Sequence, residues 1–265
     1  RNTFKFMLGN LQNGDQAFDY DSSLKFNQFS LVDTFILAKL EEVKNRVIDS
    51  FDRFDFANGL TQMLNFISND LSSFYLDITK DILYCESVDS LRRKQVQSVI
   101  AQSSDTLMKL LTPILSFTMQ EVYENLPLAH REKNVQLEGF PTKSNQFDER
   151  VLSGYSTFLK LRDNVLAALE IKRSAGLIGS SQEAEVTFNV SDLELKSALL
   201  KLDSDELARL FVVSKATLSD DISEVIVSEA SGQKCERCWN YRELVATPAG
   251  HVCHRCHEAV GEYHD

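Results

Sequence analysis

The sequence predicts a mainly helical protein in three successive parts. These are a helix bundle over residues 1–145, a long helix with a small α/β subdomain over 146–230, and a short cysteine-bearing domain over 231–265. Three observations predict this. Apolar residues recur at steps of three and four through the first part, as a helix with one buried face requires. Period-two alternation begins only at Glu183. Four of the five cysteines fall in two CxxC pairs near the end of the chain.

In the bundle, Val32, Ile36, Leu40, Val43 and Val47 form the first long stripe. Leu60, Met63, Leu64, Ile67, Leu71, Phe74, Tyr75 and Ile78 form the second, and Val96, Val99, Ile100, Leu107, Leu110 and Leu111 the third. Thr112 and Pro113 suit the N-cap and first position of another helix, ending near Asn125. Stripes this long bury one another in an antiparallel bundle. Gly139 and Pro141, in the turn-rich stretch 127–144, mark a domain edge.

The long helix carries Leu152, Tyr155, Phe158, Leu159, Arg162, Val165, Leu166 and Leu169 on one side and ends near Gly176. Ala184, Val186, Phe188 and Val190 alternate with polar neighbours as a half-buried strand. A helix over 193–201 and strands over 210–215 and 224–228 complete the α/β subdomain.

A formal net charge of -11 argues against indiscriminate nucleic-acid binding, which needs a dominant positive field. Local basic clusters can still act within an acidic protein, because salt confines a charge to a reach of about 8–10 Å. No apolar run is long enough to span a membrane, and no secretory signal is present. A cytoplasmic monomer is expected. The chain begins at Arg1 without an initiator Met, which suggests part of a longer protein.

Cys235-Glu-Arg-Cys238 and Cys253-His-Arg-Cys256 are separated by fourteen residues. Each CxxC turn offers two thiolates on one side of a tight loop, half of a tetrahedral metal shell. A domain of this size cannot build an adequate apolar core, so metal binding supplies its folding energy. One structural zinc ion on Cys235, Cys238, Cys253 and Cys256 is predicted. Iron fits the spacing too but needs an electron-transfer setting. Redox CxxC pairs need a helix N-terminus and a βαβ setting, which the tail is not expected to have. A closed four-thiolate shell leaves no open position for substrate, so no catalytic residue is predicted there. His251, His254 and His257 are read as bystanders, and the isolated Cys85 as a small buried hydrophobe.

Trp239, Arg237, Arg242 and Arg255 surround the cysteines. An exposed aromatic ring beside guanidinium groups can stack an unpaired base and pair its phosphate. Alternatively, Trp239 packs on the cysteine loops as their miniature core. Arg92, Arg93 and Lys94 open a helix, either as a solvated face or as phosphate contacts.

The chain resembles the C-terminal part of bacterial-type isoleucyl-tRNA synthetases, members of the class I aminoacyl-tRNA synthetases. The resemblance covers essentially its whole length. It rests on the segments Arg1–Leu11, Asn69–Tyr84, Ser90–Gln95, Leu111–Thr118, Leu161–Glu170, Ile178–Ala184 and Lys234–Tyr241. The middle segments are shared in outline with valyl and leucyl relatives, and the cysteine tail favours isoleucine.

The resemblance implies a helical anticodon-binding domain and a zinc domain that help to hold the anticodon stem-loop of tRNA(Ile). It also implies that the parent ligase charges that tRNA with isoleucine using ATP in protein biosynthesis. On that reading Trp239, Arg237, Arg242, Arg255, Arg92, Arg93 and Lys94 are the tRNA-contact candidates, and the rest of the synthetase chain is a partner. The HIGH and KMSKS motifs of the class I catalytic core are absent from this sequence, so the chain alone is expected to be inactive. Asn69, Asp70, Asp77 and Asp81 are read as polar contacts of the bundle. The rival reading is a helical scaffold whose zinc ribbon docks a protein.

Overall fold

The apolar stripes become helices whose buried faces are mainly those the spacing predicts. The computed structural model describes residues 1–13, 18–127, 132–247 and 250–261. These form two compact units: Arg1–Asp77 with Val88–Leu152, and Ile78–Ser87 with Ser153–Asp265. The segments 153–230 and 231–261 therefore lie in one unit, together with ten residues that come from within the helical part of the sequence.

The first unit is all helical. Helices α1 (Asn2–Asn10), α2 (Tyr20–Leu24), α3 (Leu31–Asp52) and α4 (Phe56–Asn65) come first. Val32, Ile36, Leu40, Val43 and Val47 are all buried on α3, as their spacing predicts. α4 then runs into a π-helical segment, Phe66–Tyr75, and a last turn α5 (Leu76–Ile78). Bonding from i to i+5 widens the turn over this segment. Met63, Leu71, Phe74, Tyr75 and Ile78 of the expected stripe are buried, as is Phe66 outside it, whereas Leu64 on α4 is 51% exposed.

α6 (Lys80–Cys85) belongs to the second unit, and the chain then returns to the first as α7 (Leu91–Leu111). Ser90 caps α7 by accepting from the Arg93 backbone N–H at 3.4 Å. α8 spans Ser116–Asn125 with Leu115 at its N-cap, three residues later than the expected Thr112. Thr112–Leu115 instead form a turn in which the Leu115 N–H still reaches Leu111 O at 2.8 Å. The stretch 127–144 lies partly outside the described residues. A 3-10 turn, Val135–Leu137, is found within it.

α9 (Glu149–Ser174) begins in the first unit and continues into the second. Gly176, at φ +73, ends it: its N–H donates to Arg173 O, and the Leu177 N–H to Lys172 O. This is the Schellman closure that favours glycine. Beside it lies a three-stranded sheet in the order β2-β1-β3. β1 (Ala184–Phe188) pairs in parallel with β2 (Lys215–Leu218) and antiparallel with β3 (Ile226–Glu229). Two short helices, α10 (Leu193–Leu199) and α11 (Ser204–Arg209), make the crossover.

The strand expected over 210–215 is instead a buried turn after α11, and the strand itself starts at Lys215. Its apolar side chains fill the core as irregular chain: Phe211 packs against Phe188 and Phe158, with ring centroids 5.0 and 6.5 Å apart. Arg162 Nε donates to Leu210 O at 3.2 Å, satisfying a backbone acceptor that no strand pairs.

The rest of the second unit holds the cysteines. β4 (Gln233–Lys234) pairs with β5 (Tyr241–Arg242) around the first CxxC turn. β6 (Leu244–Thr247) and β7 (Gly250–Cys253) pair antiparallel before α12 (His254–Gly261). Gly232 (φ +93) is required where β4 begins, since a Cβ there would sit 2.8 Å from the Arg242 backbone. Among the described residues, no helix is long and apolar enough to cross a membrane.

Candidate metal centre and the charged surface around it

The two CxxC turns bring their sulfurs together. The ligand atoms of Cys235, Cys238, Cys253 and Cys256 all lie within 4.8 Å of one another, and all four residues are buried. None is in a disulfide. Cys238 Sγ and Cys253 Sγ are 3.8 Å apart. A tetrahedral ion with thiolate bonds of about 2.3 Å would separate its sulfurs by about 3.8 Å. The donor set therefore fits a tetrahedral metal with four sulfur ligands.

Local backbone structure sets the turns. In the first, the Trp239 N–H donates to Cys235 O and the Cys235 N–H to Asn240 O, both at 2.9 Å. The Glu236 N–H reaches His251 O on β7 at 3.1 Å, and the Cys253 N–H points at Cys235 Sγ at 3.3 Å. Such amide-to-sulfur bonds favour a thiolate. In the second turn, Cys253 ends β7 and Cys256 lies in the first turn of α12. The tail thus does contain the helix start that the sequence did not suggest, and a helix N-terminus also favours a thiolate.

Crowding moves Cys238 and Cys256 in opposite directions. Cys238 is pushed up to about 11, first by its contact with Cys253. Cys256 feels an upward push from Cys238, but hydrogen bonds with Cys253 and Cys85 outweigh it and bring the group down to about 6. Four adjacent negative charges need a cation, and a bound metal would supply it. His251, His254 and His257 are exposed and outside the sulfur cluster. Cys85 is buried as expected, but among the four cysteines and Val252.

The arginines beside the cysteines turn inward. Arg255 forms a two-pronged pair with Asp81: Nη1 to Oδ2 at 2.5 Å and Nη2 to Oδ1 at 2.6 Å. Arg209 joins them, with Nε 2.9 Å from Asp81 Oδ2 and Nη2 2.5 Å from Glu86 Oε1. Burial alone would raise the Asp81 carboxyl, but Arg255 and Arg209 outweigh it and hold it below its ordinary range. Asp81, expected as a bundle contact, thus serves the second unit. Arg237 donates to Cys85 O at 2.6 Å and Tyr84 O at 3.3 Å, covering the last carbonyls of α6. Arg242 pairs with Asp205 at 2.6 Å.

Trp239 differs from these arginines. It is 58% exposed at φ +66, and the Lys234 ammonium lies 5.6 Å from its ring centroid. Of the two positions open for this ring, packed miniature core or presented surface, the structure has the second.

In the helical unit, Arg92 is engaged by Asp33, with Nη1 to Oδ2 at 2.6 Å and Nη2 to Oδ1 at 3.2 Å. Asp33 is fully buried and also accepts from Tyr75 Oη at 2.6 Å and from the Ser30 N–H at 3.0 Å. Arg93 is partly buried, while Lys94 is exposed, 3.5 Å from Asp89. Asp33, Glu86 and Arg209 were not singled out in the sequence. Only Asp33 left a local sign, as the third residue after Ser30 at a helix start.

Residues 33–188 match the family model described as the anticodon-binding domain of tRNA ligase. Isoleucine–tRNA ligases are similar over nearly the whole chain: 40% identity in Onion yellows phytoplasma and 38% in Thermotoga petrophila, each over 97% of this chain. The enzyme of Staphylococcus epidermidis is 37% identical over 98%. The chain spans 28–29% of the length of these relatives. A helical unit of this kind, a four-cysteine cluster and a family match over more than half of the sequence agree: the chain belongs to the anticodon-binding domain family of tRNA ligases, as the region of isoleucine–tRNA ligases that carries that domain.

Proposed function

We propose that this chain recognises the anticodon stem-loop of tRNA(Ile) within an isoleucine–tRNA ligase, and that Cys235, Cys238, Cys253 and Cys256 hold one structural zinc ion for that purpose. The chemistry of charging the tRNA with isoleucine at the expense of ATP belongs to the rest of such a ligase. Zinc would supply a fixed positive centre that ties the two cysteine turns together. With four protein ligands it has no position left for substrate.

The observation that carries this reading is the presentation of Trp239. A large ring follows directly on a buried ligand, Cys238, in a left-handed backbone conformation, and more than half of its surface is open. Nothing in the economy of a small domain calls for exposing its one tryptophan, whereas an unpaired base stacks well on such a face. Lys234 beside it and Lys94 on α7 are the exposed cations suited to phosphate. Arg92, Arg237, Arg242 and Arg255 act on this reading by holding the surfaces in shape, through the carboxylates and carbonyls described above.

The test is a titration with isoleucine tRNA carrying its native or a swapped anticodon. Anticodon-dependent binding is expected, and Trp239→Ala should weaken it by about 1–3 kcal/mol with zinc content unchanged. Indifference to the RNA would favour a protein-docking scaffold, and preference for a valine or leucine anticodon a different branch of the ligases. Loss of zinc with unaltered RNA affinity in Trp239→Ala would make the ring a structural support.

A further inference from the structure

The two cysteine turns share more than their spacing. Both read Cys-x-Arg-Cys, with arginine at the second variable position: Arg237 in the first and Arg255 in the second. Both arginines reach the same ten residues, Ile78–Ser87, which the chain contributes to this unit from a point about 150 residues earlier. Arg255 grips the side chain of Asp81 near the start of α6, and Arg237 the carbonyls of Tyr84 and Cys85 at its end. Cys85 closes the gap between them, packed among the four ligands. α6 is the last stretch of a helical run that begins at Phe56 and is interrupted at Thr79, and the two arginines hold it beyond that interruption.

We infer that Arg237 and Arg255 are positioning residues that clamp Ile78–Ser87 onto the four-thiolate centre, so that metal occupancy and the order of this decapeptide are one equilibrium. The inference rests on the metal reading given above. Each guanidinium is one residue from a ligand sulfur, so its place is set by the loop that the metal closes. With the metal gone, neither loop is held by its sulfurs, and α6 loses Arg255 near its start and Arg237 at its end. The coupling is reciprocal: whatever loosens the decapeptide also loosens the loops, and metal leaves faster. Arg209 anchors the same two carboxylates from α11, so Asp81 and Glu86 keep Arg209 when Arg255 is released.

Hydrogen exchange on the zinc-bound chain, with and without a chromogenic chelator that also counts the metal released, tests this. Chelation should speed exchange of the amides in 80–86 by about tenfold or more together with those in 233–261, and added zinc should reverse it. Retained protection of 80–86 while 233–247 loses its own would overturn the clamp and leave the metal reading standing. A chain that binds no zinc overturns both. From the other end, Asp81→Asn should speed zinc release several-fold, and an unchanged rate counts against the clamp. Should that variant fail to fold, Arg237→Lys is the milder break, since one ammonium cannot reach both carbonyls as a guanidinium fork does. It should speed release in the same assay, and an unchanged rate again decides against the proposal.

Discussion

Each unit buries a carboxylate against an arginine, and the two pairs sit in different company. Asp33 in the helical unit accepts from Arg92, Tyr75 and the Ser30 backbone, among helices whose apolar faces already bury Ile36, Val47, Leu71, Phe74, Val99 and Ile100. Asp81 in the second unit joins Arg255 and Arg209 beside a cluster whose main buried members are cysteines. One ion pair is an addition to a core that holds without it. The other, with the thiolates, stands in place of an apolar core for the cysteine segment alone. The difference lies in what each pair is worth: buried pairs contribute little net stability where hydrophobic packing is plentiful, yet breaking one is costly anywhere.

The largest break is at the metal. Cys253→Ser removes one of four ligands and weakens a binding energy on the order of 10 kcal/mol, which is also the folding energy of the segment around it. Calorimetry should show loss of the transition that follows zinc content, while the circular dichroism of the long helices persists. A single transition that moves as a whole would mean that the helical unit leans on the metal as well, and the contrast between the units would fail.

Next in size is Asp33→Asn. It leaves Arg92 buried against a neutral amide and should cost about 3–5 kcal/mol in denaturant unfolding, with zinc content unaltered. The burial of Tyr75 adds to this. Its hydroxyl donates to Asp33, and desolvation, with the nearby Asp33 charge, holds its ionisation well above the ordinary value of 10.0. Its neutral form is therefore retained across neutral pH, and the variant should give the same loss at pH 6 and pH 8. A cost below about 1 kcal/mol would make this pair surface-like in energy, despite its burial.

These contrasts also explain what could be read in advance. The α3 and α7 stripes were legible because each is a repeat along one continuous segment. The four ligands were legible because CxxC is local chemistry. Most of the second stripe was legible too, since Leu71, Phe74, Tyr75 and Ile78 are buried through the π segment and α5, and only Leu64 on α4 faces outward. The strand expected over 210–215 is a turn up to Lys215 because a short apolar run looks the same as a strand and as a buried turn. Asp81 and Glu86 gave no signal at all: their arginines lie 123 to 174 residues away in sequence, and pairing at that distance leaves no period and no motif. The arginines themselves stood out, but residue type alone does not tell a cation held inward from one offered outward.

That last ambiguity can be settled on α7, where Arg92 and Lys94 are two residues apart and face different surroundings. Arg92 has a side chain 14% exposed and fastened to Asp33, while that of Lys94 is 51% exposed with Asp89 at 3.5 Å. If Lys94 meets a tRNA phosphate, Lys94→Ala should lower the slope of log affinity against log salt by about one and leave the unfolding midpoint within about 0.5 kcal/mol. Arg92→Lys should do the reverse, lowering stability because an ammonium cannot make both bonds to Asp33, with the salt slope preserved. A slope that falls with Arg92→Lys and not with Lys94→Ala would show that RNA draws the buried arginine out of its pair. The distinction between structural and offered cations would then belong to the free protein alone.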